Sequence, residues 1–190
     1  MTVAVLTGVP GVGATTLADH ALSELQERGV EYEVVSFGTV MLETAKDKDL
    51  VDSRDELRKL DSEEQREIQQ EAGSRIAERA EESNVIVDTH CTIKTPEGYL
   101  PGLPEWVLKS LQPDIVVLVE ADPDEILFRR IDDETRTRDM ETTEEISTHQ
   151  EMNRAAGMSY ATLTGSTVKP VENPDGGVEE AAEKLADSLE

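Results

Sequence analysis

The sequence predicts an α/β fold: three layers, with a parallel sheet covered by helices on both faces. Three observations carry this. Apolar runs of strand length recur at residues 3–7, 32–36, 85–88, 115–119 and 167–171. Between them lie stretches with helical spacing of apolar residues, near 15–28, 39–47, 61–82, 104–110, 124–132, 142–163 and 177–189. Alternation of this kind calls for parallel pairing through right-handed crossovers. The third observation is a glycine-rich turn between the first strand and the first helix, the setting in which a phosphate loop is credible.

The first strand is Val3-Ala4-Val5-Leu6-Thr7. The loop follows as Gly8, Val9, Pro10, Gly11, Val12, Gly13, Ala14, Thr15 and Thr16. Its glycines let the backbone curl so that several N–H groups face one phosphate chain, and the helix N-terminus adds its positive end. The competing reading is a plain strand-to-helix turn. Thr15 falls where a hydroxyl would ligate Mg²⁺, and Ala14 falls where a lysine would reach the outer phosphates. The cradle is therefore complete, but one cation must come from elsewhere or be dispensed with. Gly29 suits the end of the first helix.

Residues 52–82 are dense in charge, with Leu57, Leu60, Ile68, Ala72 and Ile76 at helical spacing, which reads as a solvated amphipathic region. Arg54 and Arg58 sit four apart and share a helix face. They suit the single phosphate of an acceptor, or equally surface ion pairs with Asp55, Glu56 or Asp61. The strand Val85-Ile86-Val87 ends in Asp88, where a carboxylate would support Mg²⁺ at the carboxyl edge of the sheet. A cap on the following segment is the alternative role.

Residues 88–104 form the longest stretch expected to be irregular, and it should lie over the ligand-binding edge. Lys94 within it is the candidate to replace the missing loop lysine. His90 fits a loop-ordering hydrogen bond, and Cys91 a small buried filler. Asp122-Pro123-Asp124-Glu125 reads as an N-cap, a proline at the first helical position and an acidic third position. Arg129, Arg130, Arg136 and Arg138 then fall within ten residues. Forked guanidinium donors suit phosphoryl oxygens, although salt bridging to neighbouring acids competes for each one. Asn173-Pro174-Asp175-Gly176-Gly177 is a turn before the last helix.

Composition bounds the function. The chain has 190 residues, 42 acidic against 18 basic, and a formal net charge of −24. Such acidity argues against nucleic acid as a partner. It fits a protein of a halophile, where molar salt shortens the Debye length to about 3 Å. Lysine is sparse, with seven residues against eleven arginines. One cysteine, Cys91, excludes an intrachain disulfide, and the three dispersed histidines make a metal cluster unexpected. No run suits a membrane span and no signal peptide precedes the first strand, so a cytoplasmic location is expected.

These residues together resemble the archaeal type of adenylate kinase. The segments that carry the resemblance are residues 7–16, 37–41, 52–60, 85–90, 94–96 through 106–108, 129–130, 135–139, 149–154 and 163–165. It implies a P-loop nucleoside monophosphate kinase-like fold in one domain over 1–190, with a five-stranded parallel sheet and the loop strand at its centre. It also implies an AMP-binding helical region at about 38–84 and a short lid at about 133–148. The implied reaction is phosphoryl transfer from MgATP to AMP, giving two ADP, in a homotrimer. Position by position, residues 8–16 bind ATP, while Thr39, Arg54 and Arg58 fall on the AMP side. Thr15 and Asp88 sit with Mg²⁺, and Arg130, Arg136 and Arg138 lie over the transferring phosphate. The alternatives are transfer to CMP, UMP or GMP on the same fold, and a nucleotide-binding regulatory ATPase.

Overall fold

The computed structural model describes residues 1–57, 59–132 and 141–190. Five parallel strands form the central sheet: β1 (Val3–Gly8), β2 (Tyr32–Ser36), β3 (Asn84–Thr89), β6 (Ile115–Glu120) and β7 (Thr167–Glu172). Their order is β2-β3-β1-β6-β7, with the loop strand in the middle. The alternating side chains of the strands split the core in two. Ala4, Leu6, Ile86, Val117 and Val119 pack with Leu17, Ala21 and Leu25 of α1 (Ala14–Glu27) and with Leu185 and Leu189 of α8 (Val178–Leu189). On the other face, Val3, Val5, Val85, Val87, Val116 and Leu118 meet four helices. These are α2 (Phe37–Asp47), α4 (Ser62–Arg79), α5 (Glu105–Leu111) and α7 (Thr143–Thr164). Layers of helix on both faces explain why the inner strands read as unbroken apolar runs. The edge strand β7 carries Pro170, which only an edge tolerates.

Local chemistry sets the element ends. The first helix stops in a left-handed Gly29, whose N–H donates to the Gln26 carbonyl while the Val30 N–H donates to that of Leu25. Capping boxes open α4 at Asp61 with Glu64, and α7 at Thr142 with Glu145. The box expected at α6 (Pro123–Asp132) is only half made. Asp122 accepts from the Asp124 N–H at 2.8 Å, but Glu125 turns away to accept from the Asp175 N–H and pair with Arg129.

Two expectations need correction. Residues 88–104 are not irregular throughout: β4 (Thr92–Thr95) and β5 (Gly98–Pro101) pair as an antiparallel hairpin. Each arm has four residues, and Pro96, Gly98 and Pro101 hide so short a signal. The charged region 52–82 breaks into a single turn, α3 (Arg54–Leu57), and then α4. Among the described residues, no helix is long and apolar enough to cross a membrane.

The parallel strands bring three chain segments to one edge. The loop leaves the end of β1, Asp88 lies near the end of β3, and α2 begins directly after β2. Above that edge the chain turns back under tight constraint. Tyr160 donates to the Cys91 carbonyl at 2.6 Å and accepts from the Leu103 N–H at 3.1 Å. A Cβ at Gly102 would lie 1.6 Å from the His90 carbonyl oxygen, so no other residue fits there.

Candidate active site

The loop curls through Gly11 (φ +90°) and Gly13 (φ +85°), and Gly13 is the residue that opens α1. Its carbonyls are held from outside. Arg130 Nε donates to the Pro10 carbonyl at 2.6 Å. Arg129 Nη1 and Asn173 Nδ2 both donate to the Val12 carbonyl, at 3.0 and 2.9 Å. With carbonyls engaged in this way, the loop and the first turn of α1 present N–H groups to an anion. A Cβ on Gly13 would lie 2.7 Å from Asn173 Nδ2, so glycine is needed there for both conformation and space.

The arginine cluster divides. Arg129 is spent as a clamp: besides Val12, it donates to the Asn173 carbonyl at 2.9 Å and to Asp175 at 2.7 Å. Arg130 is different. Its side chain is only 6 % exposed, Nη1 pairs with Glu141, and Nη2 is buried with no partner among the described residues. A buried guanidinium with a spare donor pair beside a phosphate loop is equipped to take phosphoryl oxygens.

Lys94 lies on β4, with Nζ 2.8 Å from Glu141 and 3.0 Å from Glu145. Those carboxylates push the ammonium well above its usual range. The Thr142 backbone N–H, and next the bond to Lys94, hold Glu145 down at about 2. Burial raises Glu141, but hydrogen bonds from Lys94 and Arg130 outweigh it and leave the carboxyl below its ordinary value.

Asp88 and Thr15 are brought together: the Thr15 hydroxyl lies close enough to favour the Asp88 carboxylate. Burial raises the Asp88 carboxyl, against the opposing pull of His90 and Thr15. At the start of α2, Arg54 Nη2 donates to Thr39 Oγ1 at 2.8 Å, joining two of the three expected acceptor-side residues. Arg58, Arg136 and Arg138 lie outside the described residues. Cys91 is buried and its thiol is pushed up to about 12 by desolvation, so it is no nucleophile at neutral pH.

Comparison with known proteins shows the family. A family model described as an AAA domain matches residues 7–147. An adenylate kinase from Methanocaldococcus jannaschii is 58% identical over 187 residues, covering 98% of this chain and 97% of its own. One from Methanopyrus kandleri is 58% identical over 189 residues, with the same coverage. The chain belongs to the adenylate kinase family. The fold reaches further: a solved shikimate kinase from Acinetobacter baumannii, in complex with shikimate, superposes with a TM-score of 0.56. That match is 14% identical and covers 100% of this chain and 93% of the other.

Adenylate kinases work on MgATP, and the donor set here suits Mg²⁺. One carboxylate and one hydroxyl are hard oxygen ligands, and Asp88 is a half-buried acid that a cation would relieve. Among the described residues, no group of three or more His, Cys, Asp or Glu side chains could hold a metal alone.

Sequence reasoning missed Glu141 and the clamping role of Asn173. Glu141 was one acid among 42. Nothing in spacing joins it to Arg130 or Lys94, which reach it from a helix and a hairpin.

Proposed function

We propose that this member of the adenylate kinase family catalyses reversible phosphoryl transfer from MgATP to AMP, giving two ADP. The observation that carries this reading is a pair of separate cationic sites along one sheet edge. One is the clamped loop with Arg130, and the other is Thr39 with Arg54. A transfer between two phosphates needs two such sites and no protein nucleophile, because the acceptor phosphate is itself the nucleophile.

In this reading residues 8–16 hold the ATP phosphates through backbone N–H groups. Thr39, Arg54 and Arg58 hold the AMP phosphate. Arg130, Arg136, Arg138 and Lys94 stabilise charge on the transferring group, supplying what Ala14 does not. Thr15 and Asp88 would hold Mg²⁺, which neutralises phosphate charge. The 190 residues act as one kinase domain, with an AMP region at about 38–84 and a lid at about 133–148 that together exclude water. The net charge of −24 supports a protein that works in the cytoplasm of a halophile. The resemblance to archaeal relatives supports a homotrimer.

The test is ADP formation from MgATP with each of AMP, CMP, UMP and GMP, in molar KCl. Turnover with AMP far above the others is expected. Preference for another monophosphate would keep the mechanism and change the acceptor. Absence of transfer to all four, with ATP still bound, would favour the regulatory ATPase.

A further inference from the structure

A carboxylate that belongs to none of the expected ligand sets stands among the cations of this site. Glu141 offers one oxygen to Lys94 Nζ at 2.8 Å and the other to Arg130 Nη1. Arg130 is in turn fastened to the Pro10 carbonyl of the loop at 2.6 Å. A continuous chain of charge-assisted contacts thus runs from the loop through Arg130 and Glu141 to Lys94 on the hairpin. Glu141 is the inner member, with its side chain 14 % exposed against 35 % for Lys94.

We propose that Glu141 is a positioning residue for phosphoryl transfer, its single carboxylate holding Arg130 and Lys94 side by side against the phosphate loop. The inference rests on the kinase reading of the site. Two cations brought to one place repel each other unless an anion lies between them. Lys94 stands on a four-residue strand of a two-stranded hairpin, which does little to fix a flexible ammonium. Glu145 shares the ammonium at 3.0 Å, but it is Glu141 that also pairs with Arg130, so its carboxylate sets the counter-charge and the geometry between the two cations. It also accounts for how a loop with Ala14 acquires an oriented cation: the lysine comes from outside the loop and is aimed by an acid. A role in stability alone is a weaker account, because buried ion pairs commonly add little over well-packed apolar groups.

The consequence is a split between turnover and binding. Loop N–H groups and the Thr39/Arg54 pair still bind both nucleotides when Glu141 is changed, whereas the transferring phosphoryl group loses aligned cations. Glu141→Gln is expected to lower kcat about 10- to 100-fold while KM for ATP and for AMP stays within about threefold. Glu141→Asp retains the charge but not the reach, and should recover part of that loss. Lys94→Met combined with Glu141→Gln should be no slower than the slower single variant, since both changes remove one arrangement.

The experiment measures kcat, both KM values and near-UV CD for wild type, the three single variants (Glu141→Gln, Glu141→Asp and Lys94→Met) and the double variant, in molar KCl. An unchanged or faster Glu141→Gln enzyme would overturn the proposal. So would a loss confined to KM, or multiplicative losses in the double variant. Should Glu141→Gln fail to fold, the Asp variant decides by the same split. A wild type that transfers no phosphoryl group would instead refute the kinase reading, so the two failures are distinguishable.

Discussion

Behind the phosphate loop, the cations are shielded and tied to backbone. Arg130 is 6 % exposed and Glu141 14 %, and Val12 and Pro10 are held by three side-chain donors from two elements. Across the sheet edge, α2 and α4 are joined by pairs in contact with solvent. Lys48–Glu71 is 38 and 36 % exposed, Arg75–Asp47 is 32 and 62 %, and Arg79–Glu33 joins α4 to β2 at 42 and 46 %. Beneath them lies a satellite core of only Ala45, Val51 and Ile68, lined by Met41, Leu42, Leu57 and Leu60. Exposed pairs contribute at most about 1 kcal/mol each and weaken in salt. One side is therefore a clamped cradle, while the other seats Phe37, Val40, Ala72 and Ile76 on the main core and adds exposed pairs and a small satellite core.

The largest effect should come from breaking the rigid side. Arg130→Ala removes the Pro10 tether and leaves Glu141 short of its buried partner. Turnover should fall by about 100-fold or more, as for loss of an oriented transition-state cation. Stability should fall by about 1–3 kcal/mol, because the Pro10 carbonyl loses its donor while Glu141 keeps only Lys94. Steady-state kinetics and urea melts read the two, and a variant as stable as wild type would contradict the tether.

The side carrying Thr39 and Arg54 should respond in binding and not in folding. Arg54→Ala is expected to raise KM for AMP about tenfold or more, leave that for ATP unchanged, and alter stability by no more than about 0.5 kcal/mol. Equal rises for both nucleotides would erase the distinction between the two sides.

Dilution of salt should separate them more gently. From 1 M to 0.1 M the Debye length grows from about 3 to about 10 Å, and like-charge repulsion rises across a chain with 42 acids. Amide exchange should quicken first in residues 37–79, and last in β1 and α1. Uniform loss of protection would mean that the satellite core is as secure as the main one.

The smallest effect concerns the hairpin ion pairs. Glu145 has its pKa depressed to about 2, so its contribution is complete above the ordinary value of 4.5 and lost as pH falls towards 2. Lys94 is raised, so its contribution is complete below its ordinary 10.5 and lost only above it. The stability difference between wild type and Glu145→Gln should therefore be flat from about pH 5 to 9 and vanish in acid. A slope near neutrality would show that another group titrates with the pair.

Much of this was legible in the residues. Val3 to Leu6, Val85 to Val87 and Ile115 to Val119 announce buried strands because both their faces meet apolar helices. The glycines and Thr15 announce the loop because only that backbone can curl around an anion. The central place of β1 followed from the family resemblance and stands in the sheet, whereas the full strand order came from the structure. What local pattern could not disclose is which charged side chains meet. Arg129 and Arg130 are neighbours in sequence but point about 100° apart around α6, so one clamps Val12 while the other reaches Pro10 and Glu141. The hairpin at 92–101 was hidden because four-residue arms broken by Pro96 and Gly98 carry too little periodicity. Composition and spacing are properties of single segments, and those the sequence determined alone. The joining of Lys94, Arg130 and Glu141 was decided by the tertiary structure, because a carboxylate finds its partners in space and the chain records no distance between them.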